Sequence, residues 1–355
     1  MSQAIKMGGQ RNSNVDCFKI FLMVMIVAHH GIVHGLGFES IQEAKLSNQF
    51  GLIYFEANAF LGIAVNCFFW VSGYYQIKRR ISRAIELITE TMLYVLLLNV
   101  VLCLTNNYRI TNIFDVLKIV KRVLMFYQGY WFLSAYLIVF IFAPYLNKMV
   151  DALSLREKKE AMILLFLIFS ICGFVLRIAS LDNGYSPVHG FYMYLVGALC
   201  RTDDIHNFFS AKIRFLKFGF VVLGLLNGLL SYVFSIKGHG AVAWRLFSYN
   251  NPIMVFMAVV VCYSVILWPE KHNVFERFGK LSCYTLAVYI LTDYVLIRGV
   301  IFAPLKHLKF ANDFTIMLFI SFYAILLTLI CMGIDSIRKR LYDGVEKRLC
   351  KEKKR

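Results

Sequence analysis

Apolar residues run along this chain in long blocks, broken by short connections rich in glycine, proline or charge, such as "LDNGYSPVHG", "KGHG" and "WPEKHN". A helix rises about 1.5 Å per residue, so a block of about twenty covers the roughly 30 Å of a bilayer's hydrocarbon core. Blocks of this kind predict spans near 16–36, 52–77, 84–105, 130–147, 161–181, 188–200, 216–236, 252–268, 282–302 and 314–333. The expected fold is therefore an all-α, polytopic integral membrane helix bundle of about ten transmembrane helices, the sixth being the shortest. One connection has its own period. In "NIFDVLKIVKRVLMF" (112–126), Ile113, Val116, Leu117, Val120 and Leu124 share one helical face, while Asp115, Lys118 and Arg122 share another. That pattern suits an amphipathic helix on the membrane surface, or a re-entrant segment.

Composition agrees with the pattern. Of the residues, 59% are hydrophobic, and the mean hydropathy is +0.64, outside the range of soluble domains. A net charge of +17 would suggest nucleic acid in a soluble chain. Here Lys and Arg fall between the apolar blocks, so no nucleic-acid partner is expected. With the N-terminus in the cytoplasm, the inside connections hold 26 of them and the outside ones 9. Both termini are therefore expected inside, with 1–15 as a cytoplasmic segment and 334–355 as a basic cytoplasmic tail that can also meet membrane lipids. The nine cysteines form no CxxC pair, so neither a disulfide framework nor a zinc site is expected. The first block carries His29 and His30 and has no small-residue cleavage site, so it reads as a span and not as a cleaved signal.

Ionisable side chains are costly inside a bilayer and face a bundle interior or a wet cavity. Lys19 and His30 are eleven positions apart, which is three turns plus about 20°, so they share a face about 16 Å apart. Lys19 also stands three residues from Asp16, close enough to pair with it. Glu56, Arg177, Asp293 and Arg298 all fall in the outward halves of their spans. Together they predict a polar chamber reaching outward from mid-membrane. Inward, Lys78, Arg79, Arg80 and Arg83 follow the second span and suit an anionic ligand from the cytoplasm, besides marking topology. His30 and His34, at an i, i+4 spacing, are compatible with a metal. None is expected, because no carboxylate or cysteine partner sits at a recognisable spacing. Trp131 stands at an outer helix end, the ordinary place of an aromatic-belt residue.

Three stretches carry a family resemblance. "VDCFKIFLMVMIVAHH" holds an Asp, a basic residue three positions on, and a His after ten more. "VNCFFWVSGYYQIKRR" holds Phe68, Phe69, Ser72 and Gly73 before a basic run, and "GYWFLSAYLIVFIFAPYLNKM" runs from Trp131 to Pro144. The chain resembles membrane-bound acyltransferase family 3, which includes O-acetyltransferases of bacterial surface polysaccharides. Lys19 stands where many members have Arg, and Thr292 where many have His. No appended esterase domain of the SGNH type is visible.

The resemblance implies a transmembrane acyltransferase domain over 16–333, in a bacterial cytoplasmic (inner) membrane. It implies transfer of an acyl group, acetyl first among them, from cytoplasmic acyl-CoA to a hydroxyl of a surface polysaccharide or lipid-linked glycan. Acetyl-CoA is then a substrate, with no permanently bound cofactor. His30 is expected to act as general base or to take the acyl group itself, with Asp16 and Lys19 in the same motif. Glu56 is expected to orient His30, a pairing that comes from topology and not from the motif. Lys78, Arg79, Arg80, Arg83, Ser72 and Gly73 are the expected donor-binding positions, and Trp131 and Asp293 the expected acceptor-binding ones. The rival readings are a transporter or flippase of a lipid-linked glycan, for which no inverted repeat with broken helices is visible, and a glycan polymerase, for which no large outside loop is visible.

Overall fold

Asn12 starts the first helix by accepting the Val15 N–H at 3.2 Å, the N-cap arrangement that satisfies one of a helix's orphan donors. The computed structural model describes residues 12–43, 49–78, 80–178, 183–269, 274–306, 308 and 312–352; among them there is no strand. Helix α1 (Ser13–His30) continues into a wider π-helical turn, Gly31–Gly35. Helices α2 (Leu52–Leu61) and α3 (Ala64–Tyr74) form one span, followed by α4 (Ile81–Leu104), α5 (Ile113–Leu124) and α6 (Trp131–Ala152). Then α7 (Leu155–Leu165) runs through a π-helical stretch into α8 (Gly173–Val175). Next come α9 (Pro187–Cys200), α10 (Asp203–Ile236), α11 (Gly240–Arg245) and α12 (Pro252–Ile266). The chain ends with α13 (Val274–Gly279), α14 (Thr285–Asp293), α15 (Val295–Ile301), α16 (Ala303–Lys306) and α17 (Asp313–Glu352).

Helix occupies most of the described part of each expected span, but length divides them. Six described helices are long and apolar enough to cross a membrane, and a seventh span results if the bent pair Glu276–Asp293 and Val295–Ile301 is one crossing. Pro187–Cys200 and Pro252–Ile266 are apolar but shorter than that. The amphipathic segment is a helix, capped by Asn112. Its polar side docks inward, Arg122 Nη1 donating to Asn99 Oδ1 of α4 at 3.2 Å. Its apolar side, with Ile113, Phe114, Leu117 and Leu124, is exposed, as a face meeting lipid would be.

α1 is the axis of the bundle. It packs against α2, α3, α12, α13, α14 and α17, and 61% of its apolar window is buried against 28% for α10 and α17. A helix that is apolar all round, with Leu22 and Val27 fully buried, belongs in such a position. α3 and α9 cross at backbone contact: a Cβ on Gly73 would overlap the Tyr194 carbonyl, and one on Gly197 the Trp70 carbonyl. Small residues that let backbones touch are a common means of membrane helix association. Gly73 was expected to bind the donor; it is instead a packing position, because the space beyond its Cα is filled by α9. Polar side chains pin other crossings, as where Asn251 Nδ2 donates to Asn227 Oδ1 at 3.1 Å between α10 and the start of α12.

Candidate active site

The π-helical turn brings His30 and His34 nearly into line, with ring centroids 5.5 Å apart. Leu36 N–H bonds to Gly31 O at 3.0 Å, the five-residue step of this turn. Opposite them α14 stops at Asp293, because Tyr294 is extended (φ −66°, ψ 122°), and the chain bends by 86° into α15. Such a break leaves carbonyls without intrahelical partners. Tyr130 Oη donates to Ile290 O at 2.8 Å, and Arg298 Nε donates to Asp293 O at 3.0 Å.

The same Arg298 Nε lies 2.9 Å from Asp293 Oδ1, and His30 Nδ1 lies 3.5 Å from that oxygen. Arg298 Nη1 reaches 3.4 Å from His34 Nε2, and His34 Nδ1 stands 3.3 Å from Glu39 Oε2. A guanidinium only donates, so His34 Nε2 must accept and its proton sits on Nδ1, toward Glu39. His30 Nδ1 faces the Asp293 carboxylate at a distance longer than a close hydrogen bond, and a proton held on Nδ1 toward that charge would leave the Nε2 lone pair for chemistry. Arg298 balances the charge of a carboxylate only 4% exposed.

His30, His34 and Asp293 also offer three donor atoms within 4.8 Å of one another. The missing carboxylate partner is present after all, supplied from a segment more than 250 residues away. A cation there would meet the guanidinium of Arg298, which lies 2.9 Å from Asp293 Oδ1 and 3.4 Å from His34 Nε2. The three donors and Arg298 thus form one charge-balanced cluster.

Two cavities approach this pair from opposite ends of α1. One, of about 480 Å³, runs from Asp16, Lys19 and Arg83 past Ser72 and Met23 to Tyr289, one turn before Asp293. The other, of about 380 Å³, is lined by His29, Arg177, Tyr185, Trp244, Arg245 and Tyr249 among others. A largely apolar chamber with Lys19 and Arg83 at one end reaches Tyr289 in the helix of Asp293, and an aromatic one with two arginines reaches His29, the neighbour of His30. The family model of an acyltransferase domain, acyltransferase family 3, matches residues 12–334. The chain belongs to acyltransferase family 3. No curated protein and no solved structure gives a significant match. It is a multi-pass membrane member of that family, with its apolar helices forming the matched domain.

The structure distributes this acyltransferase's expected site residues unevenly. Asp16 and Lys19 pair at 3.2 Å and both line the larger cavity. Arg83 lines it too, and its Nη1 lies 2.6 Å from Glu86. Ser72 is on the wall, its hydroxyl donating to Phe68 O at 2.8 Å. Lys78 and Arg80 are exposed and stand outside the lining; Arg79 lies outside the described residues. Glu56 does not reach His30. It faces α10, where a Cβ at Gly228 would sit 2.7 Å from Glu56 Oε2, and the carboxylate beside His30 is that of Asp293. The topology put Glu56 at the right depth but on the wrong side of its helix. Asp293 was expected on the acceptor side and proves to be the partner of His30. Trp131 packs on Tyr185 and Tyr249, ring centroids 4.8 and 5.4 Å away, behind the aromatic cavity.

Arg298, Glu39, Tyr130 and Tyr289 were not expected as site residues. Arg298 had one visible signal, its place in a span next to Asp293. A five-residue spacing puts two side chains about 140° apart on a straight helix, so only the break makes them partners.

Proposed function

We propose that this acyltransferase moves an acyl group, acetyl first among them, from cytoplasmic acyl-CoA to a hydroxyl of a surface polysaccharide or lipid-linked glycan. The observation that carries the reading is His30 facing Asp293 at 3.5 Å, with a cavity holding Lys19 and Arg83 toward one end of its helix and an aromatic cavity reaching His29 beside it. Ten crossings with both termini in the cytoplasm of a bacterial inner membrane would put the basic cavity inside, where acyl-CoA is made. Lys19 and Arg83 would hold the donor's phosphates there, with exposed Lys78 and Arg80 attracting them, and the acyl thioester would point along the cavity past Tyr289. The acceptor would enter from the aromatic side.

His30 Nε2 takes the proton of the acceptor hydroxyl as its oxygen bonds to the thioester carbonyl carbon. Asp293 stabilises the imidazolium that forms. The carbon–sulfur bond breaks, and His30 returns the proton to the departing thiolate. A transporter of lipid-linked glycan could use such a pair only to relay protons, and would show no dependence on an acyl donor.

The test follows labelled acetyl from acetyl-CoA into surface glycan in membranes where wild type and His30→Ala are shown to be present and folded. Label with wild type and none with the variant is the expected result. Equal labelling by both would sink the mechanism. No label with either, while another acetyltransferase labels the same glycan, would move the transporter reading ahead.

A further inference from the structure

The aromatic cavity carries charge that the transfer reaction does not use. Arg177 and Arg245 both line it, and no carboxylate is among its described lining residues. Nε and Nη2 of Arg245 are buried and have no hydrogen-bond partner, although the guanidinium lies 4.8 Å above the ring of Phe174. Two buried charged donors without acceptors are expensive, and a planar fork of donors is the shape that receives a carboxylate or phosphate in pairs. Arg177 also holds a left-handed backbone, φ +53°, unusual for a non-glycine residue and typical of functional positions. The same cavity is lined by the flat rings of Tyr185, Trp244 and Tyr249, which suit the apolar faces of a sugar ring. His29, on the same wall, has its ring 6.0 Å from that of His30.

From this geometry we propose that the acceptor is an anionic glycan, bound through a carboxylate or phosphate on the sugar by Arg177 and Arg245. This rests on the reading that the aromatic cavity receives the acceptor. The anion orients the sugar so that a neighbouring hydroxyl faces His30, and a neutral sugar, leaving both guanidinium groups unpaired, is discriminated against.

Full-length protein in nanodiscs of zwitterionic lipid is titrated at constant ionic strength with glucuronate, glucose 1-phosphate and glucose, and separately with coenzyme A. At least one anionic sugar should bind ten-fold or more tightly than glucose, and which one does so separates a carboxylate from a phosphate. Arg245→Gln should remove that preference, Arg245→Lys should keep part of it, and Lys237→Gln, which removes a charge at the same end outside the cavity, should leave it intact. Should Arg245→Gln fail to fold, Arg177→Gln at the exposed residue is the substitute. Equal binding of all three sugars, or an undiminished preference in a folded Arg245→Gln protein, would overturn the proposal. Coenzyme A binding reports on the transfer reading separately: its loss alongside a retained, Arg245-dependent anion preference would reject the donor and keep the anion site.

Discussion

Replacing Asp293 by Asn removes the charge beside His30 while keeping the side chain's shape. At the observed 3.5 Å and an effective dielectric of about 20, the lost attraction for an imidazolium is about 4–5 kcal/mol. At about 1.4 kcal/mol per decade, kcat should fall between about 10³- and 10⁴-fold. KM for acetyl-CoA should stay within about three-fold, because Asp293 is not among the residues lining the cavity assigned to the donor. The assay is initial-rate transfer of labelled acetyl in membranes, with enzyme quantified and thermal unfolding followed in parallel. Folding needs its own control, since Asp293→Asn leaves Arg298 without its ion-pair partner, the more costly state for a charge in a low-dielectric interior. The double variant Asp293→Asn, Arg298→Gln removes both charges and should recover unfolding temperature without recovering rate. A folded Asp293→Asn enzyme that loses less than ten-fold would refute the claim that Asp293 organises His30.

Three further outcomes follow from other parts of the molecule. Arg83→Gln removes a charged donor from the larger cavity, worth about 1.5–3 kcal/mol if it bonds a phosphate; KM for acetyl-CoA should rise about ten-fold or more with kcat little changed, and a fall in kcat at constant KM would refute the assignment. Gly73→Ala drives a methyl into the Tyr194 carbonyl, an overpacking cost of about 3 kcal/mol, visible as a lower unfolding temperature in detergent; an unchanged temperature would mean the α3–α9 crossing yields freely. At Asp115, hydrogen bonds from the Thr111 amide and hydroxyl and from Lys118 hold the carboxyl well below the usual carboxylate range. A depressed folded value stabilises α5 fully above the unfolded value of about 3.9. Hydrogen exchange at the first amides of α5, corrected for intrinsic rate, should therefore be level from pH 8 to 5 and rise only below about pH 4; a rise between pH 7 and 5 would contradict this sign.

Much of the molecule was legible in the order of its residues. Apolar blocks long enough for a bilayer predict where helices lie, because backbone groups in hydrocarbon must bond within their own segment. The 3.6-residue period isolates α5, and a fixed spacing along one helix puts Asp16, Lys19 and His30 in register, since neighbours within a turn or a few turns are set by local geometry alone. Length was less legible: α9 and α12 are shorter than a full crossing, and apolarity alone does not separate a short buried helix from a span.

What the sequence could not decide is which side chains meet across helices. Depth in the membrane follows from position in a span, so Glu56 and Asp293 were both at a plausible level for His30. Rotation about the helix axis depends on neighbours, and α10, presenting Gly228, draws the Glu56 face away. The partnership of Asp293 and Arg298 needs an 86° break that no periodicity announces. Gly73 read as part of a donor-binding motif, whereas its role is set by a carbonyl from α9, over a hundred residues on. Local energetics wrote the helices and the charges into the chain. The site itself is a set of contacts between residues far apart in sequence, and packing alone selects those.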